Sequence, residues 1–158
     1  MTAIVAATLA DHRFLRGMPD RHLAYLAGAS RLVTVPAQHV FFEAGGVARH
    51  FWLTRAGQIA VDLRAPGDGK VVIQTIGRGE MLGLSWFFPP FQWQFGAVAV
   101  QPAELFEFDA AAVRGHCDTD HDFGYEFTRR MIAAVAGRLQ AARVQLLDEV
   151  TAHDARGR

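Results

Sequence analysis

The chain changes its hydrophobic period near residue 120. Beyond that point Phe123, Phe127, Met131, Val135, Leu139, Ala142, Leu146 and Val150 recur every third or fourth residue with no proline between them, the spacing of one helical face. Before it, apolar residues fall in short runs, Leu32-Val33, Val40-Phe41-Phe42, Phe51-Trp52-Leu53 and Ile59-Ala60-Val61, divided by Pro36, Gly45-Gly46 and Gly57. Such punctuation marks short strands. The chain must therefore join a compact set of strands to one long helix. At 1.5 Å per residue a helix of ~28 residues runs ~42 Å, more than a small sandwich can cover. Part of its stripe needs another partner, and a second copy of the chain is the simplest; a helix that bends back onto its own sandwich is the alternative.

The remaining punctuation extends this pattern. Short helices are expected from Thr2 to Gly28, one of them started by Pro19-Asp20 and ended by Gly28. Residues 65–69, Ala-Pro-Gly-Asp-Gly, form a hairpin loop between two apolar runs. A further strand pair, Gly96 to Val100 and Leu105 to Phe108, is split by Gln101-Pro102. The expected fold is mainly β with flanking helices, an antiparallel sandwich or roll.

Charge narrows the function classes. The 158 residues carry 16 Lys+Arg against 16 Asp+Glu, so no global field draws the chain onto nucleic acid or an anionic membrane. Cys117 is the single cysteine and no basic flank precedes the first apolar stretch, which together lead to a cytoplasmic expectation. From Met81 to Ala103 there is no Asp, Glu, Lys, Arg or His. This gap is long enough to span a bilayer, but Pro89-Pro90 breaks a helix and Gln92, Gln94 and Gln101 would carry amides into lipid. Burial in a folded domain accounts for it better.

In this order the landmarks resemble a known family. They are Phe14-Leu15 with Met18-Pro19, then residues 40–45 as Val-Phe-Phe-Glu-Ala-Gly, then Phe51-Trp52-Leu53 leading to Gly57. Residues 76–80, Ile-Gly-Arg-Gly-Glu, come next with Gly83, followed by residues 102–105, Pro-Ala-Glu-Leu, and the long helix. From Phe14 to about Leu147 this set resembles the cyclic nucleotide-binding domain of the catabolite activator (Crp/Fnr) type. The resemblance implies a double-stranded β-helix, or jelly-roll, over residues 1–121, a dimer helix over 122–150 and a polar tail over 151–158. In the dimer helix Phe127, Met131, Val135, Leu139, Ala142 and Leu146 would form the seam. It also implies a phosphate-binding cassette beginning at Gly83, where backbone N–H groups of a short helix cradle the cyclic phosphate.

The cassette departs from the family pattern. Nucleotide-binding members begin it with Gly-Glu, the Glu holding the ribose, and end it with Arg-Ser/Thr-Ala, the Arg pairing with phosphate. Here Gly83-Leu84 stands at the start, Trp93-Gln94-Phe95 lies near the end, and no arginine occurs between Arg78 and Arg114. A hydrogen bond to a charged group contributes roughly 1.5–3 kcal/mol, so losing both contacts weakens a cyclic nucleotide by about two to four powers of ten. The backbone of Leu84, Ser85 and Trp86 and the Ser85 hydroxyl remain able to receive an anion or a carbonyl. Trp86, Phe87, Phe88, Phe91, Trp93 and Phe95 supply aromatic surface instead. Three outcomes stay open: aromatics that fill the pocket, aromatics that line a site for another small effector, and residual cyclic AMP or cyclic GMP binding.

Other constellations carry less. His116-Cys117 with His121 has no closed ligand set for a metal or haem, and Asp118, Asp120 and Asp122 suit a helix start. Residues 83–87 lack the second glycine of a nucleophile elbow, and no catalytic set of acids, Walker loop or dinucleotide fingerprint is present, so no enzymatic activity is expected. On the long helix Arg129, Arg130, Arg138 and Arg143 meet no acid until Asp148-Glu149, reading as a solvated face beside a coiled-coil seam. Arg138 also stands where the family's helix approaches the ligand. Eight polar residues after the helix cannot make a helix-turn-helix, so direct DNA binding is not expected. The expectation is a stand-alone regulatory sensor, a homodimer answering to a small effector, or else a ligand-free adaptor acting through a protein partner.

Overall fold

The computed structural model describes residues 2–67 and 69–157; Asp68 of the expected hairpin loop and Arg158 of the expected tail lie outside them. The chain opens with α1 (Thr2–Ala10), a single 3-10 turn at Arg13–Leu15, and α2 (Asp20–Ala29). Pro19 fixes the entry to α2 and Asp20 lies in its first turn, where an acid favours the helix dipole. Gly28 does not end this helix as expected. It continues to Ala29, and Ser30 closes it by donating its hydroxyl to the Ala27 carbonyl at 2.9 Å.

Eight strands follow: β1 (Ser30–Val35), β2 (Val40–Phe42), β3 (His50–Ala56), β4 (Ile59–Arg64), β5 (Lys70–Ile76), β6 (Met81–Leu82), β7 (Gly96–Ala99) and β8 (Ala103–Asp109). They form two antiparallel four-stranded sheets, ordered β1-β8-β3-β6 and β2-β7-β4-β5. The jelly-roll expected from the sequence is the observed architecture. The two-residue β6 is too short to show a period and was not expected as a strand.

Alternation along β3 builds the core. Successive strand residues face opposite sides, and Phe51, Trp52, Leu53 and Thr54 are all buried, so β3 is covered on both faces. Phe51 stacks on Phe108 at 4.8 Å and on Trp86 at 3.9 Å, with Phe127 of the last helix at 6.0 Å. Trp52 faces the other way, towards Phe41 and Phe42 of β2 at 5.3 and 5.9 Å. Its indole N–H donates to Glu107 on β8 at 3.0 Å. One strand thus separates a helix-side aromatic cluster from a roll-side one.

Two helices close the chain, α3 (Ala110–Thr119) and α4 (His121–Arg156). Asp109 and Asp120 cap them, accepting from the N–H groups of Ala112 and Phe123. The helix does not end at residue 150 as expected: α4 runs through residues 151–156, which stay exposed, and its 36 residues extend ~54 Å at 1.5 Å each. The expected seam also needs correction at its start. Phe127 and Met131 are buried in the chain's own core, whereas Leu139 and Leu146 are 52% and 62% exposed. Nor is Arg130 unmatched, since it pairs with Glu126 one turn earlier at 2.6 Å. Among the described residues no helix is long and apolar enough to cross a membrane.

Candidate functional site

A cavity of about 510 Å³ opens between the β2-β7-β4-β5 sheet and α4. Val61 of β4 and Ile73, Gln74 and Thr75 of β5 form its sheet wall. The opposite wall is α4, presenting Val135, Arg138, Leu139, Ala142 and Gln145. Gly83, Leu84 and Ser85 close one end, and Trp93, Gln94 and Phe95 another. The two ends of the expected cassette, ten residues apart, and Arg138 from far along the chain thus share one concavity. Its size lies within the usual ~300–1,000 Å³ of small-ligand pockets.

Local geometry explains the shape. Gly83 takes φ +92°, a left-handed conformation that a side chain strains, and a Cβ there would stand 2.8 Å from the Trp93 ring. Trp93 in turn stacks on Phe42 at 3.8 Å. The outer edge of the indole consequently lies against the glycine and occupies space a larger residue would need. Ser85–Phe87 makes one 3-10 turn after Gly83, not a longer helix.

The six aromatics divide. Trp93 and Phe95 line the cavity; Trp86 does not, being fully buried on the helix side against Phe51, Phe127 and Phe87. Its placement in the cassette cannot make its side chain a ligand contact. Phe87 follows it to the Phe127 side at 6.1 Å, and Phe88 is exposed. Phe91 holds φ +56°, and Arg114 of α3 lies over its ring at 4.1 Å while donating to the Trp86 carbonyl at 2.6 Å. Arg114 binds this loop from outside, a role without sequence signal because the residue lies in neither the cassette nor the helix stripe. The aromatics leave the cavity open.

Charge enters from α4. Arg138 donates to the Met81 carbonyl, two residues before Gly83. Burial lowers its guanidinium to about 10, opposed by the Glu80 carboxylate, so it stays cationic at neutral pH. A guanidinium has five N–H donors, and donors remain for a ligand. Gln74, Thr75 and Gln145 add polar groups that sequence reasoning missed; two sit on β5 and one on the exposed part of α4, where nothing in the pattern singles them out.

The His116-Cys117-His121 segment is packed differently. His116 stacks on Tyr25 at 3.5 Å, and burial pushes the Cys117 thiol up to about 11. No group of three or more metal-ligating side chains is brought together among the described residues.

A jelly-roll with a glycine-led turn and a helix across an effector-sized cavity defines a regulatory binding domain. The chain belongs to the cyclic nucleotide-binding domain family, whose model matches residues 32–120. A Methylobacillus flagellatus cyclic nucleotide-binding domain superposes with a TM-score of 0.79 at 14% identity, over 94% of this chain and 83% of that one. A Geobacter metallireducens protein described as cyclic nucleotide-binding gives 0.76 at 22% identity, over 85% and 97%. The sensor domain of the transcriptional regulator DNR from Pseudomonas aeruginosa gives 0.65 at 18%, over 94% of each. No curated protein shows significant similarity to the sequence.

Proposed function

We propose that this chain is a regulatory sensor domain of the Crp/Fnr type whose cavity takes a small effector with an aromatic or apolar body, and cyclic AMP or cyclic GMP only weakly. The observation that carries the reading is the shared helix. Val135, Leu139 and Ala142 line the cavity, while Leu146 and Val150 further along α4 are exposed. An effector seated between sheet and helix changes the position of α4, and with it the surface offered to a second copy. The size of the response equals the effector's differential affinity for the two helix positions. Leu84 at the ribose carboxylate's place and the Trp93 indole over Gly83 support weak nucleotide recognition; Arg138 supports a ligand with an acidic group.

Calorimetry and thermal shift with cyclic AMP and cyclic GMP test the ligand. At a hundredfold excess over Kd a native-state ligand adds about 2.7 kcal/mol of stability. No stabilisation is expected at micromolar nucleotide, and tight binding there overturns the reading. Sedimentation tests the helix: a dimer is expected at tens of micromolar, and Leu139→Glu should dissociate it. A monomeric wild-type chain counts against the relay.

A further inference from the structure

A second concavity, larger than the effector cavity, is a cleft of about 830 Å³ between residues 13–17, the turn before β6 and the middle of α4. Five arginines line it, Arg13, Arg16, Arg129, Arg130 and Arg138, against Glu80 and Glu126, a formal excess of three positive charges. The carboxylates are engaged. Glu126 binds Arg130 at 2.6 Å, and Glu80 accepts from the Gly77 N–H at 3.2 Å with Arg13 at 3.7 Å. Arg16 and Arg129 make no ion pair within 4 Å among the described residues; Arg129 overlies the Tyr125 ring at 5.4 Å and meets the Glu126 carboxylate only at longer range. On the α4 wall Ala133, Ala134, Gly137 and Ala141 leave the centre open.

We propose that this cleft, which adjoins the effector cavity and shares Gln74, Arg138 and Ala141 with it, is a second ligand site for a small polyanion such as an oligophosphate or a polycarboxylate. Guanidinium groups suit both, because their planar forks meet carboxylate or phosphate oxygens two at a time. A small occupant fits better than nucleic acid. The cleft is concave and of ligand size, and the chain as a whole has zero formal charge, so the positive field is local. Arg130 also holds the fold, donating to the Arg16 carbonyl at 3.1 Å; Arg16 and Arg129 are the side chains free to bind.

Calorimetry on the full chain with tripolyphosphate and with citrate, at low and at physiological salt, tests the site. Saturable binding of either at one per chain is expected, weakening as salt screens it; which probe binds tighter tells phosphate from carboxylate chemistry. Arg16→Gln/Arg129→Gln should weaken it about tenfold or more with the ligand-free melting temperature unchanged, and Arg129→Gln alone should act in the same direction. Gln145→Ala, in the other cavity, should leave it intact. The proposal is overturned by no saturable heat at millimolar probe in low salt, or by unchanged affinity in the double variant.

Discussion

Phe127 and Leu146 lie on the same hydrophobic stripe of α4, yet replacing them should give opposite results. Phe127 is fully buried, with ring centroids of Phe14 and Phe123 at 5.5 Å, Trp86 at 5.8 Å, Phe51 at 6.0 Å and Phe87 at 6.1 Å. Truncating a buried Phe to Ala costs about 3–5 kcal/mol, and this many aromatic neighbours, each favouring the pair by roughly 0.5–1.5 kcal/mol, keep Phe127→Ala at about 4 kcal/mol or above, not at the low end of that range. With a urea slope of about 2 kcal/mol per molar for a chain this long, the midpoint should fall by about 2 M. Leu146 is 62% exposed, so Leu146→Ala should alter the intrinsic stability of one chain by less than about 0.5 kcal/mol. Tryptophan fluorescence during urea unfolding, at low and high protein concentration, separates the two. The Phe127→Ala loss should be independent of concentration, and the Leu146→Ala loss should appear only where chains associate. A Phe127→Ala cost below about 1 kcal/mol, or one that vanishes on dilution, would refute the seating of the first half of α4 on its own roll.

Acid should destabilise the protein from a little below neutrality. His12 is buried, accepting at Nδ1 from the Phe14 N–H at 3.2 Å while Nε2 donates to the Thr54 carbonyl at 2.9 Å, and burial lowers its pKa; burial lowers His22 likewise. Because the unfolded chain takes these protons near 6.5 and the native one resists them, stability is full above that pH and falls from about 6.5 towards the lowered native values. Urea midpoints measured across this window should decline, less steeply in His12→Gln; equal slopes would exclude His12 as a source. Gly83→Ala should cost roughly 1–3 kcal/mol of thermal stability, from positive φ and a Cβ driven into Trp93, and a neutral result would mean that the indole is not pressed onto residue 83. Arg114→Ala should speed proteolysis within residues 87–95, since it removes both the bond to the Trp86 carbonyl and the cation over Phe91; an unchanged cleavage rate would show the loop is held by other contacts.

The strands were legible because Gly and Pro stand at nearly every reversal, and a short apolar run between two such residues has few alternatives. Where that logic lacked material it failed. Met81–Leu82 has no measurable period, and α3, in which Ala110 and Val113 are the only buried residues, carries so weak a stripe that only its acidic end drew notice, as the start of α4. The split within α4 was hidden for another reason. Phe127, Met131, Val135 and Leu139 follow one another at four-residue spacing, and periodicity records that a face is apolar but not what covers it. Buried packing of α4 on the roll ends at Met131, and beyond it Val135, Arg138, Leu139, Ala142 and Gln145 face the open cavity, a property of the shape of the roll and not of the helix sequence.

The uncharged segment from Met81 to Ala103 shows the same limit at the site. The segment holds no arginine of its own, yet its environment is not uncharged. Two arginines from outside the segment reach its backbone, Arg114 at the Trp86 carbonyl and Arg138 at the Met81 carbonyl. Backbone carbonyls accept such bonds whatever side chain they carry, so no residue type within the segment could announce them. Arg138 comes from 57 residues beyond Met81, and only the crossing of α4 over the roll brings it there. Positive charge at this cavity is therefore tied to the helix and not to the loop: displacing α4 withdraws it, whereas a cassette arginine would stay with the β-roll.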